Sequence, residues 1–142
     1  MARVILLLLH AFVAVSAVAG AIWVVPTMPL EWMRSGPFTD WTIPALALGS
    51  VGVLAGVAFA AVLLRPRLGA PLSVAVGVAM VVFELVEIAV VGWTLGDPTL
   101  PAFQASLQLV YIVVGSVQVL LGVALWASLG RPLVGQRRYR PT

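Results

Sequence analysis

The chain has 142 residues, of which 62% are hydrophobic and 9% are charged, and its formal net charge is +3. Soluble domains are about 45–50% apolar and about 25% charged, so this composition excludes an ordinary water-soluble domain and indicates an integral membrane protein. The chain contains no cysteine, which excludes disulfides, iron–sulfur clusters and thiol catalysis.

Four stretches of the sequence are long enough to cross the hydrocarbon core of a bilayer, which takes roughly 20 apolar residues. Clusters of proline and glycine separate these stretches. The predicted spans cover residues 4–25, 42–64, 72–93 and 103–129. The first stretch has the basic start and small residues of a signal peptide, but its apolar run continues to Val25, so we expect a retained helix. The sequence therefore predicts one all-α domain over residues 1–130, an integral membrane four-helix bundle.

The positions of the arginines predict the orientation of the bundle. If both termini are cytoplasmic, Arg34 faces outward and all other basic residues fall on the inner side: Arg3, Arg65, Arg67, Arg131, Arg137, Arg138 and Arg140. The positive-inside rule therefore predicts an N-in, C-in protein, with the loops 26–41 and 94–102 outside. All eight basic residues are arginine, which indicates a GC-rich bacterial genome, so we expect the membrane to be a bacterial plasma membrane. The basic tail 131–142 marks the cytoplasmic side and can touch anionic lipid. We expect the lipid bilayer, and no nucleic acid, as a partner.

The loop 26–41 is long for a bundle of this size. Its tryptophans are placed as interfacial anchors: Trp23, Trp32 and Trp41. Arg34 follows Glu31 by three residues and can pair with it on a short helix, and Thr39 or Asp40 can cap the second span. The loop is therefore expected to lie along the membrane surface, either as a cover for a site, with Arg34 and Asp40 as secondary candidates, or as a simple connector.

The second span carries a ridge of small residues at four- and three-residue spacing, formed by Gly49, Gly52 and Gly56. Small residues let the backbones of neighbouring membrane helices approach closely. We expect this ridge to pack the bundle, and a homodimer interface is the alternative.

The third and fourth spans each carry a polar stripe whose members are three or four residues apart. The first stripe is Ser73, Gly77, Met80, Glu84, Glu87 and Val91, and the second is Gln104, Gln108, Tyr111, Gly115, Gln118 and Gly122. This spacing is typical of a seam that faces a neighbouring helix in a left-handed bundle. The two stripes are therefore predicted to face each other or a shared cavity.

Glu84 and Glu87 are the carboxyl groups inside the apolar spans. An ionised carboxylate at the membrane centre costs at least ~2.5–3.5 kcal/mol, and the spans contain no lysine or arginine to offset it. We expect at least one of the two carboxyls to be neutral and hydrogen-bonded to Gln108, to Tyr111 or to the other glutamate, all of which lie at the same depth. With Gln104, these residues form the candidate site for a ligand or a proton. The alternative is that the carboxyls are structural contacts between helices.

His10 lies in the first span, about 10 Å from the cytoplasmic end at ~1.5 Å per residue. A single histidine without cysteine is a poor zinc or haem ligand, and the offset along the membrane normal argues against a metal site shared with the two glutamates. We predict a satisfied polar residue, keep His10 as a secondary candidate, expect no metal, and identify no cofactor.

Three stretches carry a resemblance: "SGPFTDWTIPALAL" at 35–48, the acidic third span, and "LQLVYIVVG" at 107–115. Together they resemble a group of small bacterial four-span membrane proteins of unassigned function. The resemblance covers most of the chain, and it implies the four-span fold without implying an activity.

Three functions remain open at this point. The first is a site that binds or carries a small molecule, cation or proton at the glutamate pair. The second is an accessory or assembly subunit of a larger membrane complex, in which the stripes and the glycine ridge are docking faces. The third is an intramembrane enzyme that acts on a lipid or quinone with the glutamates as acid and base. No P-loop, dinucleotide fingerprint, HExxH or nucleophile elbow is present, so catalysis of the kinds common in soluble enzymes is not expected.

Overall fold

The computed structural model of the protein describes residues 1–28, 39–92, 95 and 102–130. These residues form four helices: α1 (Ala2–Thr27), α2 (Thr42–Leu64), α3 (Pro66–Val91) and α4 (Ala102–Leu129). Each helix contains a stretch that is long and apolar enough to cross a membrane. The predicted all-α class and the four membrane-capable spans are therefore confirmed, and α2 has the predicted bounds.

The helices pack as a closed bundle in which each helix packs mainly against two neighbours, in the order α1, α2, α3, α4 and back to α1. The Arg3 guanidinium joins the start of α1 to the end of α2, because its Nε and Nη2 donate to the carbonyls of Val62 and Leu63 at 3.2 and 2.7 Å. The last turn of a helix has free carbonyls and carries the negative end of the helix dipole, so it favours a cation there. This contact stabilises the antiparallel arrangement of α1 and α2.

The two ends of the bundle differ in composition. Arg3, Arg65 and Arg67 lie together where α2 ends and α3 begins, and we call this the basic end. Trp41 immediately precedes α2 at the opposite end and is buried, and we call this the Trp41 end. A cluster of buried apolar side chains fills the basic end: Leu6, Val62, Ala70 and Leu125.

The surface of the bundle is apolar. Between 22% and 28% of the residues in each span are buried inside the chain, and large side chains such as Leu8, Val53 and Leu120 are exposed. A water-soluble bundle buries most side chains of this kind, whereas lipid solvates them. The interior contains buried polar groups instead: His10, Ser73, Glu84, Gln108 and Gln118. This is the distribution of a multi-pass membrane protein.

The connection between α2 and α3 differs from the prediction. The segment 65–71 was expected to be a break, with the third span starting at residue 72, but a single residue, Arg65, separates the two helices. Pro66 is the first residue of α3, where the missing N–H is not needed and the fixed φ suits the helix. Pro71 comes early in α3 and removes one helical hydrogen bond. Proline therefore starts this helix and does not interrupt it.

The helices α2 and α3 are closest near this connection. A Cβ at Gly69 would lie 2.5 Å from the backbone nitrogen and Cα of Val62, so only glycine fits there. Toward the Trp41 end the two helices leave a wide groove between them. The pair is therefore splayed, with its narrow end at Arg65.

The prediction that the polar stripes of α3 and α4 face each other is confirmed. A Cβ at Gly115 would lie 2.8 Å from the Gly77 carbonyl oxygen, and a Cβ at Gly77 would meet the Gly115 carbonyl oxygen even more closely. Gly122 packs in the same way on Val74 and on the carbonyl of Ala70. The backbones of α3 and α4 are thus in direct contact along the two stripes.

The glycine ridge of α2 packs on α1 over part of its length. A Cβ at Gly52 would lie 2.8 Å from a Val18 methyl and 3.2 Å from the Ala14 carbonyl oxygen, and one at Gly49 would lie 3.4 Å from Ala21. Gly56, by contrast, has no such neighbour within 4 Å. Close packing of α1 and α2 therefore rests on Gly52 and Gly49.

Candidate functional site

Glu84 is buried inside the bundle, with 3% of its surface exposed. It follows Met80 by one helical turn on the inward stripe of α3, and it lines a cavity of about 10 Å³ together with Tyr111 and Val13. A cavity of this volume accommodates about one water molecule. Among the described residues, no hydrogen bond reaches the Glu84 carboxyl, and Glu87 lies close enough to act on it electrostatically.

Glu87 lies one turn further along α3 and is partly buried. The Gln108 side-chain amide on α4 donates to Glu87 Oε1 at 3.2 Å and to the Gly92 carbonyl at 3.1 Å. Gly92 ends α3 with a φ of 95°, a backbone conformation that favours glycine. The Gln108 amide thus connects the Glu87 carboxyl to the C-terminal end of α3.

Tyr111 completes this group of side chains from α4. Ser16 of α1 lies beside its hydroxyl, and both glutamates lie near it. Its ring lies 6.3 Å from the ring of Phe12, at an angle of 40°, within the range of favourable aromatic pairs. The structure therefore brings four of the predicted site residues together near the Trp41 end: Glu84, Glu87, Gln108 and Tyr111.

A groove of about 380 Å³ runs between α2 and α3 on the outside of the bundle. The described residues that line it are apolar apart from Glu87, and they include exposed residues such as Ile43, Val82 and Val86. Val51 and Phe83 line both this groove and the small cavity at Glu84. The two carboxyls therefore border different spaces. Glu87 lines the groove on the side of the bundle, and Glu84 lines the small cavity on the other side of Val51 and Phe83.

His10 belongs to a second polar cluster that the sequence did not reveal. Its Nε2 lies 2.8 Å from Ser73 Oγ on α3, and its Nδ1 lies 3.1 Å from Gln118 Nε2 on α4. All three side chains are fully buried. The expectation of a satisfied polar residue agrees with these contacts. At ~1.5 Å per residue, His10 and Ser73 lie about 10–12 Å from the helix ends at the basic end, which could have suggested that they pair.

The hydrogen-bond donors in this cluster determine the form of the His10 ring. Ser73 Oγ donates its single hydrogen to the Gly69 carbonyl at 2.8 Å, so it must accept from His10 Nε2–H. With the Gln118 side chain placed so that its amide nitrogen faces the ring, this amide donates to Nδ1, which then carries no proton. The ring is therefore the neutral Nε2–H tautomer, and the cluster links α1, α3 and α4. The Gln118 carbonyl oxygen, Oε1, has no hydrogen-bond partner among the described residues.

We expect ¹⁵N NMR of the full chain in detergent or nanodiscs to show this tautomer directly. His10 is the only histidine, so the ring gives one set of signals without assignment. Nε2 should carry the proton and Nδ1 should resonate as an unprotonated acceptor. A Gln118→Leu variant should change the Nδ1 shift and leave Nε2 protonated. A protonated Nδ1 in the parent protein would contradict the direction of the hydrogen bonds given above.

The secondary candidates do not join the cluster at Glu84. Asp40 is exposed one residue before the cap of α2, and its Oδ1 accepts from the Thr42 backbone N–H at 2.8 Å. This hydrogen bond lowers the pKa of Asp40. The cap residue of α2 is Trp41, without a side-chain capping hydrogen bond, so the prediction that Thr39 or Asp40 caps the helix is wrong, although Asp40 bonds to its first residue. Arg34, the tail 131–142 and the side chain of Gln104 lie outside the described residues. Within the described part of the chain, no three histidine or acidic side chains converge as metal ligands.

Comparison with known proteins finds no match: no family model fits the chain, and no curated protein or solved structure is significantly similar to it. The fold and the apolar surface therefore define only the class of this protein. The chain has the architecture of a small multi-pass membrane protein with four spans, and its functional assignment depends on the chemistry of its own side chains.

Proposed function

We propose that this is a small multi-pass protein of the bacterial plasma membrane that binds or carries a small molecule, cation or proton at Glu84 and Glu87. The observation that carries the proposal is the Glu84 carboxyl, which is almost completely buried and has no hydrogen-bond partner among the described residues. Gln108 and Tyr111 complete the site from α4. Both termini lie in the cytoplasm in this proposal.

The energetic cost of the carboxyl supports a binding role. A buried polar group without a hydrogen bond costs about 1–3 kcal/mol, and a charged one costs more in a membrane. A purely structural contact would recover this cost through a partner in the chain, as Glu87 does with Gln108. Glu84 makes no such hydrogen bond among the described residues and instead lines a cavity of about 10 Å³, so we expect its carboxyl to act through a small group bound there.

The direction of the polar side chains favours this function over an assembly subunit. Docking faces for a partner would carry their polar groups on the outside of the bundle, whereas Glu84, Gln108 and Gln118 are buried. The small residues Gly77 and Gly52 pack against Gly115 and Val18 of the same chain, so these faces are already occupied within the bundle. An enzyme acting on a lipid or quinone remains compatible with the carboxyl pair, but no side chain beyond the binding residues supports it.

The proposed orientation is supported by the described arginines. Arg3, Arg65 and Arg67 share one end of the bundle, as the positive-inside rule requires of a cytoplasmic end. The site then lies in the half of the membrane that faces away from the cytoplasm, near the Trp41 end.

The proposal is tested by native mass spectrometry of the full chain released from native membranes, followed by extraction and identification of bound molecules. The parent protein is expected to carry a bound species that Glu84→Gln and Glu87→Gln lose. Asp40→Asn is the matched control, because it makes the same carboxyl-to-amide change at an exposed position near the Trp41 end and should keep the species.

The same variants test the proton alternative in proteoliposomes that contain a pH-sensitive dye. Proton uptake driven by an imposed potential should fall in Glu84→Gln and Glu87→Gln and remain in Asp40→Asn. If all variants match the parent protein in bound species and in proton uptake, the two glutamates are structural and the proposed function is wrong.

A further inference from the structure

The groove between α2 and α3 has features that restrict what could fill it. It has a volume of about 380 Å³, which lies in the range of small-molecule sites, ~300–1,000 Å³. Its described wall residues are aliphatic and aromatic, with the exception of the Glu87 side chain. Exposed wall residues, Ile43 at 58% and Val82 at 52%, show that it opens on the outer surface of the spans. A molecule that enters it therefore comes from the lipid phase and has an apolar body.

The charges around the groove select the head group of such a molecule. Glu84 and Glu87 lie one turn apart on α3, and the described spans α1 to α4 place no basic side chain beside them. The basic residues Arg3, Arg65 and Arg67 lie at the other end of the bundle. Among the described residues, the groove therefore has carboxyl groups at this level and no basic side chain to pair with them.

Aromatic rings add to this preference. Trp41 lines the groove at its end, and Phe83 forms part of its wall between Glu87 and the cavity at Glu84. A cation is attracted to the face of an aromatic ring by about 0.5–1 kcal/mol at exposed sites and by about 2 kcal/mol or more when desolvated. The groove therefore complements an organic cation, because it combines apolar walls, two aromatic rings and a carboxyl.

We propose that this groove binds lipophilic organic cations, with the apolar body of the ligand against α2 and α3 and its positive charge at Glu87. The inference rests on the proposed function and deepens it, because it assigns a ligand class and a route of entry to the same site. Anionic amphiphiles are repelled by the carboxyl pair, and neutral ones gain nothing from it.

The site also couples the ligand to protons. Among the described residues, the groups that face Glu87 are Glu84 on α3, Gln108 and Tyr111 on α4, and Trp41, which immediately precedes α2. Two of these groups besides Glu87 titrate, and none is basic. A positive ligand and a proton therefore compete for the same carboxyl pair, so ligand affinity should increase as the pH is raised.

The test uses tetraphenylphosphonium as the probe and tetraphenylborate as its control, since the two ions have the same shape and opposite charge. Binding to the full chain in nanodiscs is measured by calorimetry, with empty nanodiscs subtracted. We expect saturable binding of tetraphenylphosphonium and none of tetraphenylborate. Glu87→Gln should weaken binding by about ten-fold or more and remove its pH dependence, whereas Asp40→Asn should leave both unchanged.

A second variant keeps the test decisive if Glu87→Gln does not fold. Ala47 lines the groove and is exposed on α2, so Ala47→Leu narrows the groove with a residue that lipid solvates and leaves the charge in place. This variant should also lose the probe. Phe83→Leu should weaken binding by a few-fold through loss of the aromatic face.

Equal binding of both ions, or unchanged affinity in Glu87→Gln and Ala47→Leu, overturns the cation assignment. If native mass spectrometry still shows a bound species that the glutamate variants lose, the proposed site stands and its ligand class is wrong. If that species and proton uptake are also unaffected, the proposed function fails together with this inference.

Discussion

A Gly77→Ala variant is expected to lose about 3 kcal/mol of its free energy of unfolding, the upper part of the usual range for inserting a methyl group into a packed core. The added Cβ would collide with the Gly115 carbonyl oxygen and would lie 2.9 Å from the backbone nitrogen of Val119. Both obstacles are backbone atoms of α4, so a rotamer change cannot relieve the collision. The two helices would have to move apart along the whole seam.

The matched control for this variant is Gly56→Ala on α2. It adds the same methyl group to a membrane helix, but nothing lies within 4 Å of the new Cβ. Its unfolding free energy should stay within about 1 kcal/mol of the parent value, because alanine is the better helix former. Reversible denaturation in mixed micelles measures both variants. Equal effects of the two substitutions would show that the seam of α3 and α4 is not as close as described.

A Glu84→Met variant is expected to be more stable than the ligand-free parent protein, by about 1–2 kcal/mol. Methionine has a similar length and adapts its shape to the space available, and Met80 already occupies the preceding position of the same stripe. The substitution replaces an ionisable group inside a membrane span, which is costly there, with an apolar side chain on the inward stripe of α3. Gains in stability on replacing a polar residue are typical of binding sites.

Gln108→Leu provides the opposite control for this experiment. The Gln108 amide donates to Glu87 and to the Gly92 carbonyl, so its removal should lower stability by about 1–3 kcal/mol. The same denaturation assay measures both variants after bound molecules have been exchanged out. A Glu84→Met variant that is clearly less stable than the parent would identify Glu84 as a structural contact between helices and would contradict the proposed function.

Much of the fold could be predicted from the sequence because a bilayer restricts the possible structures. Backbone groups in hydrocarbon must be paired within the segment, so an apolar stretch of sufficient length has to form a helix. The bounds of α2 follow from this rule. The start of α3 did not follow from it, because a proline in the sequence is interpreted as a break unless it is known to lie in the first turn of a helix. Pro66 lies in that first turn.

The sequence predicts which helix face carries each residue of the candidate site. Residue spacing put Glu84 and Gln108 on inward stripes, and the contact between Gly77 and Gly115 shows that these stripes meet. Spacing along one helix does not give the rotation of a helix in another part of the chain. The hydrogen bonds from His10 to Ser73 and Gln118 depend on the rotation of α1 against both other helices, and they could not be deduced in this way.

The single residue between α2 and α3 restricts how the lateral groove can change its width. Arg65 ties the two helices together at the basic end, and Gly69 holds their backbones in contact next to it. Any rotation of α2 relative to α3 is therefore hinged at Arg65. The displacement is largest at the far end, beside Trp41 and Glu87, so a small rotation near one membrane surface is amplified into a change of aperture near the other.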